Sequence, residues 1–75
     1  MKSVFTELLQ ILGDYSEKVD NETFSDNDYI EYQNLEARII NAYKNGYFHN
    51  REYRALTSAF LFIKEWARDV LGLDG

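Results

Sequence analysis

Apolar side chains recur at intervals of three and four residues in three segments of this chain, which is the spacing of one face of an α-helix. The first predicted helix runs from Val4 to Val19, and the second runs from Asp26 to Lys44. The third begins near Asn50 and frays around Gly72. The expected core positions are Val4, Phe5, Leu8, Leu9, Ile11, Leu12, Tyr15 and Val19 in the first helix, Tyr32, Leu35, Ile39, Ala42 and Tyr43 in the second, and Tyr53, Leu56, Phe60, Ile63, Ala67 and Val70 in the third.

Two similar strings mark the starts of the second and third helices. Residues 24–29 read Phe-Ser-Asp-Asn-Asp-Tyr, and residues 48–53 read Phe-His-Asn-Arg-Glu-Tyr. In the first string, Ser25 is expected to cap the helix and Asp28 to complete a capping box. The phenylalanine of each string is expected to contact the tyrosine across the first helical turn.

The connection between the second and third helices is short. Asn45 and Gly46 follow the second helix, and glycine readily adopts the left-handed conformation that ends a helix. A short connection places consecutive helices side by side and antiparallel. We therefore expect an all-α fold, a small three-helix bundle in which helix 1 packs on a helix 2–helix 3 hairpin. One domain is expected to span residues 1–75.

Several classes of protein are disfavoured by composition. The chain has no cysteine, which excludes disulfide bonds and thiolate metal sites. Its longest apolar run, residues 59–63, is far shorter than the roughly 20 residues that span a bilayer. The N-terminus lacks the pattern of a signal peptide. We expect a cytoplasmic protein that does not contact a membrane.

Charge is divided unevenly along the chain. Residues 1–36 contain nine acidic residues and two lysines, net −7, whereas residues 37–75 contain four acidic and six basic residues, net +2. An acidic surface attracts basic protein surfaces and repels nucleic acid. The alternative is an ordinary solvated surface. The candidate partner-binding acids are Glu7, Asp14, Glu17, Asp20, Glu22, Asp26 and Asp28.

The third helix carries a second apolar row beside its core stripe. The row consists of Ala55, Ala59, Phe62 and Trp66. A helix that packs against two neighbours needs a wide apolar face, which is one interpretation. The other is an interface for a second copy or another protein, because aromatic residues dominate such interfaces. Leu61 lies apart from both rows, among charged residues, and belongs to the same candidate interface.

Basic residues on the third helix suggest a regulator that contacts nucleic acid as a dimer. Ala42 and Gly46 fit the spacing of a helix-turn-helix motif, but Asn41, Asn45 and Glu52 occupy positions where that motif needs apolar contacts. The net charge of −5 also opposes attraction to phosphates. Binding to nucleic acid is therefore the alternative hypothesis. Its candidate contacts are Arg51, Arg54, Lys64 and Arg68.

No constellation of residues supports catalysis, a cofactor or a metal. Residues 20–31 place acids at several positions of a calcium-binding loop, but Phe24 and Ser25 replace an essential ligand and the essential glycine. His49 is the only histidine and lacks companion ligands. We expect a noncatalytic protein-binding module, a small acidic inhibitor or modulator of a larger protein. A nucleic-acid-handling target and an origin in a phage or other mobile element are narrower versions of this hypothesis.

Overall fold

Three capped segments form the three helices of the protein. The computed structural model describes residues 3–72, with α1 at Val4–Asp20, α2 at Asp26–Lys44 and α3 at Asn50–Leu71. The predicted all-α three-helix bundle is confirmed. The bounds of α2 match the prediction, and α1 extends one residue further. Gly72 ends α3 with φ at +72°, a conformation that glycine adopts without steric cost.

α3 is the element on which the other two helices pack. α1 contacts α3 more extensively than it contacts α2, and α2 also packs along α3. The ring of Phe5, near the start of α1, lies 6.4 Å from the ring of Phe48, just before α3. α1 and α3 therefore run in the same direction, and α2 runs antiparallel to both.

Side-chain caps define the helix starts. Ser3 Oγ accepts from the Thr6 amide at 3.1 Å and begins α1. At α2 the predicted capping box is confirmed: Ser25 Oγ accepts from the Asp28 amide at 3.2 Å, and the Ser25 amide donates to Asp28 Oδ2 at 3.0 Å. Each such cap contributes about 1 kcal/mol.

The phenylalanines that precede α2 and α3 are buried in the core. Phe24 lies with its ring centroid 6.0 Å from that of Tyr15 on α1 and 6.2 Å from that of Tyr32 on α2. Phe48 contacts Phe5 of α1 in the same edge-to-face manner. Each ring thus joins α1 to the start of the following helix, a longer-range role than the expected contact within one turn.

Two expected core positions are wrong. Leu9 is 45% exposed and Val70 is 42% exposed. Leu9 lies about 100° around α1 from buried Leu8, beyond the arc that two neighbouring helices cover. Val70 lies in the last turn of α3, which at 22 residues outruns the 17 residues of α1. The buried core consists of Leu8, Leu12, Val19, Phe24, Tyr32, Leu35, Ile39, Ala42, Phe48, Leu56, Phe60, Ile63 and Ala67.

Tyr32 lies at the point where all three helices meet. Its hydroxyl donates to the backbone carbonyl of Phe60 at 2.7 Å, and its ring stacks on the Phe60 ring at 4.6 Å. The ring of Tyr15, from α1, meets it edge-on at 5.1 Å. Burial raises the pKa of the Tyr32 hydroxyl well above its usual range. The hydroxyl is therefore protonated at neutral pH and can donate this hydrogen bond.

Replacing Tyr32 with phenylalanine tests the value of this hydrogen bond. We expect Tyr32→Phe to lower the free energy of unfolding by about 1 kcal/mol, since the bond is lost and the ring contacts are kept. Urea denaturation measures the change. The matched control is Tyr47→Phe, which also removes a tyrosine hydroxyl, but from a residue that is 62% exposed to solvent. Equal effects of the two substitutions would show that the buried bond adds nothing.

Candidate functional site

Two adjoining shallow depressions, one on the surface of α1 and one between α1 and α2, share Ile11 and are bordered by carboxylate side chains. Their floor contains Ile11 and Tyr15, which are half-buried. Glu7 and Asp14 lie beside Ile11 on the α1 side, and Glu31 lies on the α2 side. All three carboxylate residues are exposed. We call this region, defined by these five residues, the acidic groove.

Helical spacing brings the residues of the acidic groove together. Glu7, Ile11 and Asp14 follow one another at intervals of four and three residues, so they share one face of α1. Arg38 on α2 also lines the groove and reaches the neighbourhood of Glu7. Within residues 3–72, no ion pair shorter than 4.0 Å involves the three carboxylates. The groove therefore has an apolar floor and walls with an excess of negative charge.

Tyr15 responds to the charges around it. Burial raises the pKa of its hydroxyl, and the carboxylates of Glu31 and Asp28 raise it further, against smaller opposing effects of Lys18 and Arg38. The ammonium group of Lys18 lies 5.9 Å from the centre of the ring. Tyr15 is consequently a neutral phenol at neutral pH, so it contributes a ring and a hydroxyl to the groove without adding charge.

The seven acids predicted to bind a partner do not form a single cluster. Glu7 and Asp14 border the acidic groove, whereas Asp20 is the last residue of α1. Asp26 and Asp28 lie in the first turn of α2, where negative charge is stabilised by the unpaired backbone amides. The other two are exposed, with Glu17 on α1 and Glu22 in the turn that follows it.

Asp28 already has several local partners. It accepts hydrogen bonds from the amide and hydroxyl of Ser25, and Lys18 Nζ donates to its Oδ1 at 3.0 Å. The Ser25 amide and then the Lys18 ammonium hold the pKa of Asp28 below its usual range. The carboxylate thereby ties the last turn of α1 to the first turn of α2. Its participation in partner binding remains a prediction.

The structure provides no clustered ligands for a metal in the region it describes. Across residues 3–72, no three histidine, cysteine or acidic side chains are close enough together to hold an ion. Asp26 and Asp28, two of the acids in the calcium-loop pattern, are wound into α2. His49 Nε2 lies 3.4 Å from Glu52 Oε1, and the His49 amide donates to the same oxygen at 3.3 Å. His49 therefore takes part in the start of α3.

The second apolar row of α3 is only partly covered. Ala59 and Trp66 are half-buried and contact the core, as packing against neighbouring helices requires. Phe62 is 69% exposed, and its ring meets Trp66 edge-on with centroids 6.4 Å apart. Ala55 and Leu61 are exposed as well. Packing within the bundle therefore accounts for part of this row but not for Phe62.

The basic residues of α3 are interrupted by acids. Arg51 and Arg54 are exposed near its start. Lys64 and Arg68, further along, are half-buried and share a depression with Glu65 and Asp69. These four bases do not form a continuous positive surface. Contact with nucleic acid remains a prediction that no feature of this surface strengthens.

The sequence did not point to Glu31, which belongs to the acidic groove, or to Arg38, which lies beside it. Glu31 and Arg38 are separated by seven residues and flank buried Leu35 on α2. That spacing places them on one face of the helix. The pattern was present in the sequence, but it does not reveal which neighbour that face of α2 meets.

The fold and the groove define a small all-α protein with two distinct exposed surfaces, one acidic and one aromatic. Comparisons with protein-family models, with curated proteins and with solved structures found no significant match. None of the helices within residues 3–72 combines the length and the apolar character needed to cross a membrane.

The structural role of Asp28 predicts a pH dependence. Because folding lowers the pKa of Asp28, its contribution to stability is present above the ordinary value of 3.8 and is lost as the pH falls through the folded-state pKa. We expect Asp28→Asn to be less stable than the wild type at neutral pH. The difference should shrink at pH values below about 4. Urea denaturation at several pH values measures it.

Asp14→Asn is the matched control for Asp28→Asn. Asp14 is exposed and has no ion pair within residues 3–72, so its neutralisation should leave stability nearly unchanged across the same pH range. A stability difference for Asp28→Asn that does not vary with pH would contradict a role for the charge of Asp28.

Proposed function

We propose that this protein is a noncatalytic protein-binding module, a small acidic inhibitor or modulator that binds a basic surface of a larger protein through the acidic groove. The observation that supports this proposal is the combination of exposed carboxylates with a half-buried apolar floor. Glu7, Asp14 and Glu31 supply the charge, and Ile11 and Tyr15 supply the apolar contact.

The two parts of the groove have different effects on binding. Complementary charge accelerates association and selects partners, whereas apolar and aromatic contacts supply most of the affinity. Within residues 3–72, no ion pair of Glu7 or Asp14 has to be broken before a partner binds. The net charge of −5 adds a long-range attraction for basic surfaces.

The narrower version of the proposal concerns a nucleic-acid-handling target. Glu7 and Asp14 are seven residues apart, about 10 Å along the helix axis. Three nucleotide steps of one DNA strand cover about the same distance along the duplex. A row of carboxylates at this spacing is compatible with a surface that normally receives phosphates. An origin in a phage or other mobile element remains a prediction.

The first experiment identifies the partner. Tagged protein is used to capture proteins from a lysate of the native host at about 0.1 M and about 1 M salt, where exposed charges are screened beyond about 10 Å and 3 Å. Mass spectrometry names the captured protein. We expect one basic protein that is retained at the lower salt concentration and lost at the higher one.

Neutralising the groove should weaken capture of that protein. An exposed charge pair contributes about 0.5 kcal/mol, so the loss of two pairs through Glu7→Gln combined with Asp14→Asn should reduce affinity roughly fivefold. Titration of the purified partner by fluorescence anisotropy or calorimetry measures the reduction.

Glu36→Lys provides a control with the same net charge. Both variants change the total by two units, from −5 to −3, but Glu36 is an exposed residue beside Ile40 and Tyr53, outside the acidic groove. If both variants bind equally weakly, only overall charge matters and the groove is not the binding site. If neither variant loses affinity, the proposal is wrong.

A further inference from the structure

The size of the side chains changes along the second apolar row of α3. The row contains Ala55, Ala59, Phe62 and Trp66 at intervals of four, three and four residues, so all four share one face. The two small residues occupy the N-terminal half of the row and the two aromatic residues occupy the C-terminal half. Phe62 is the most exposed large apolar side chain within residues 3–72.

The charged residues that flank this row also differ between the two halves of α3. We call the flank they form the edge of the row. Arg51 and Arg54 lie in the N-terminal half of α3, and Glu65 and Asp69 lie in the C-terminal half. All four side chains are exposed, and their positions fall within about 60° around the helix, on the side of Phe62 that faces away from the core. The edge is therefore basic at one end and acidic at the other.

Both gradients are self-complementary in one orientation only. If a second α3 packs antiparallel about a two-fold axis between residues 60 and 61, Ala55 faces Trp66 of the second copy and Ala59 faces its Phe62. Small residues then receive large ones, which allows close packing. The same axis places Arg51 and Arg54 opposite the acidic end of the second copy. A parallel orientation places small residues beside small ones and aromatic residues beside aromatic ones, and it leaves the two charged edges on opposite sides of the interface.

We propose that another copy of the chain covers this face of α3. The two copies pack antiparallel through α3 and form a symmetric dimer. A two-fold axis uses every contact twice, so the interface contains four aromatic side chains and two clusters of opposite charge. No residue of α3 lines the acidic groove, so the dimer leaves both grooves accessible.

Sedimentation equilibrium of the full chain tests self-association. We expect the wild type to be dimeric at concentrations of tens of micromolar and Phe62→Asp to be monomeric there. Because Phe62 is exposed, the variant should keep the helical content and the unfolding transition of the wild type. Ile30→Asp is the matched control, since Ile30 is 60% exposed on α2, and it should remain dimeric. A wild type that is monomeric at about 0.5 mM would overturn the proposal.

Charge substitutions test the orientation. In the antiparallel dimer, Arg51→Glu with Arg54→Glu places acid against acid and should weaken association about tenfold. Adding Glu65→Arg and Asp69→Arg exchanges the two ends of the edge and should restore the dimer. In a parallel two-fold dimer, the charged edges of the two copies lie on opposite sides of the interface, so neither change brings like charges together across it. Failure of the second pair of substitutions to restore association would therefore contradict the proposed register.

Disulfide formation provides a direct measurement of distance, because the natural chain has no cysteine. In the proposed dimer, the two copies of Ala55 are separated by about 16 Å along the axis, too far for a disulfide bond. Ala59→Cys lies near the two-fold axis and should cross-link on mild oxidation, whereas Ala55→Cys should not. Rapid cross-linking of Ala55→Cys would show a parallel dimer and overturn the proposal.

Discussion

The arrangement of the bundle depends on how Tyr32 is held. Its hydroxyl bonds to a carbonyl in the middle of α3, and its ring stacks on Phe60 and meets Tyr15 in a T-shaped contact. One side chain of α2 thus fixes the position of α2 relative to both other helices. In a chain of 75 residues the core is small, so a directional bond among stacked rings restricts how α2 can rotate against α3.

The helices were predictable from the sequence because the signals that bound them are local. Ser25 and Asp28 lie within one turn of each other, and Asn45 and Gly46 follow α2 directly. The bond from Tyr32 to Phe60 joins residues 28 positions apart, and periodicity alone does not set the rotation of one helix against another. Leu9 was assigned to the core for the same reason.

The candidate site was predictable only in part. The shared face of Glu7 and Asp14 follows from helical spacing, and the acidic character of the first half follows from composition. Glu31 and Arg38 were missed because their relevance depends on which side of α2 meets α1. The bond between Asp28 and Ser25 was predicted as part of the capping box, whereas the bond from Lys18 joins residues ten positions apart on different helices and was not.

The uneven distribution of charge has a structural meaning in the proposed dimer. Two copies with a net charge of −5 each repel one another at long range, yet residues 37–75, which include α3, carry a net +2. Association through α3 brings together the halves that repel least and keeps the acidic grooves outside the interface. Salt then has different effects on the two surfaces. In the dimer it screens both the repulsion between the net charges and the attraction between the basic and acidic ends of α3, so the two effects oppose each other. For a basic partner it screens only attraction, which disfavours the complex.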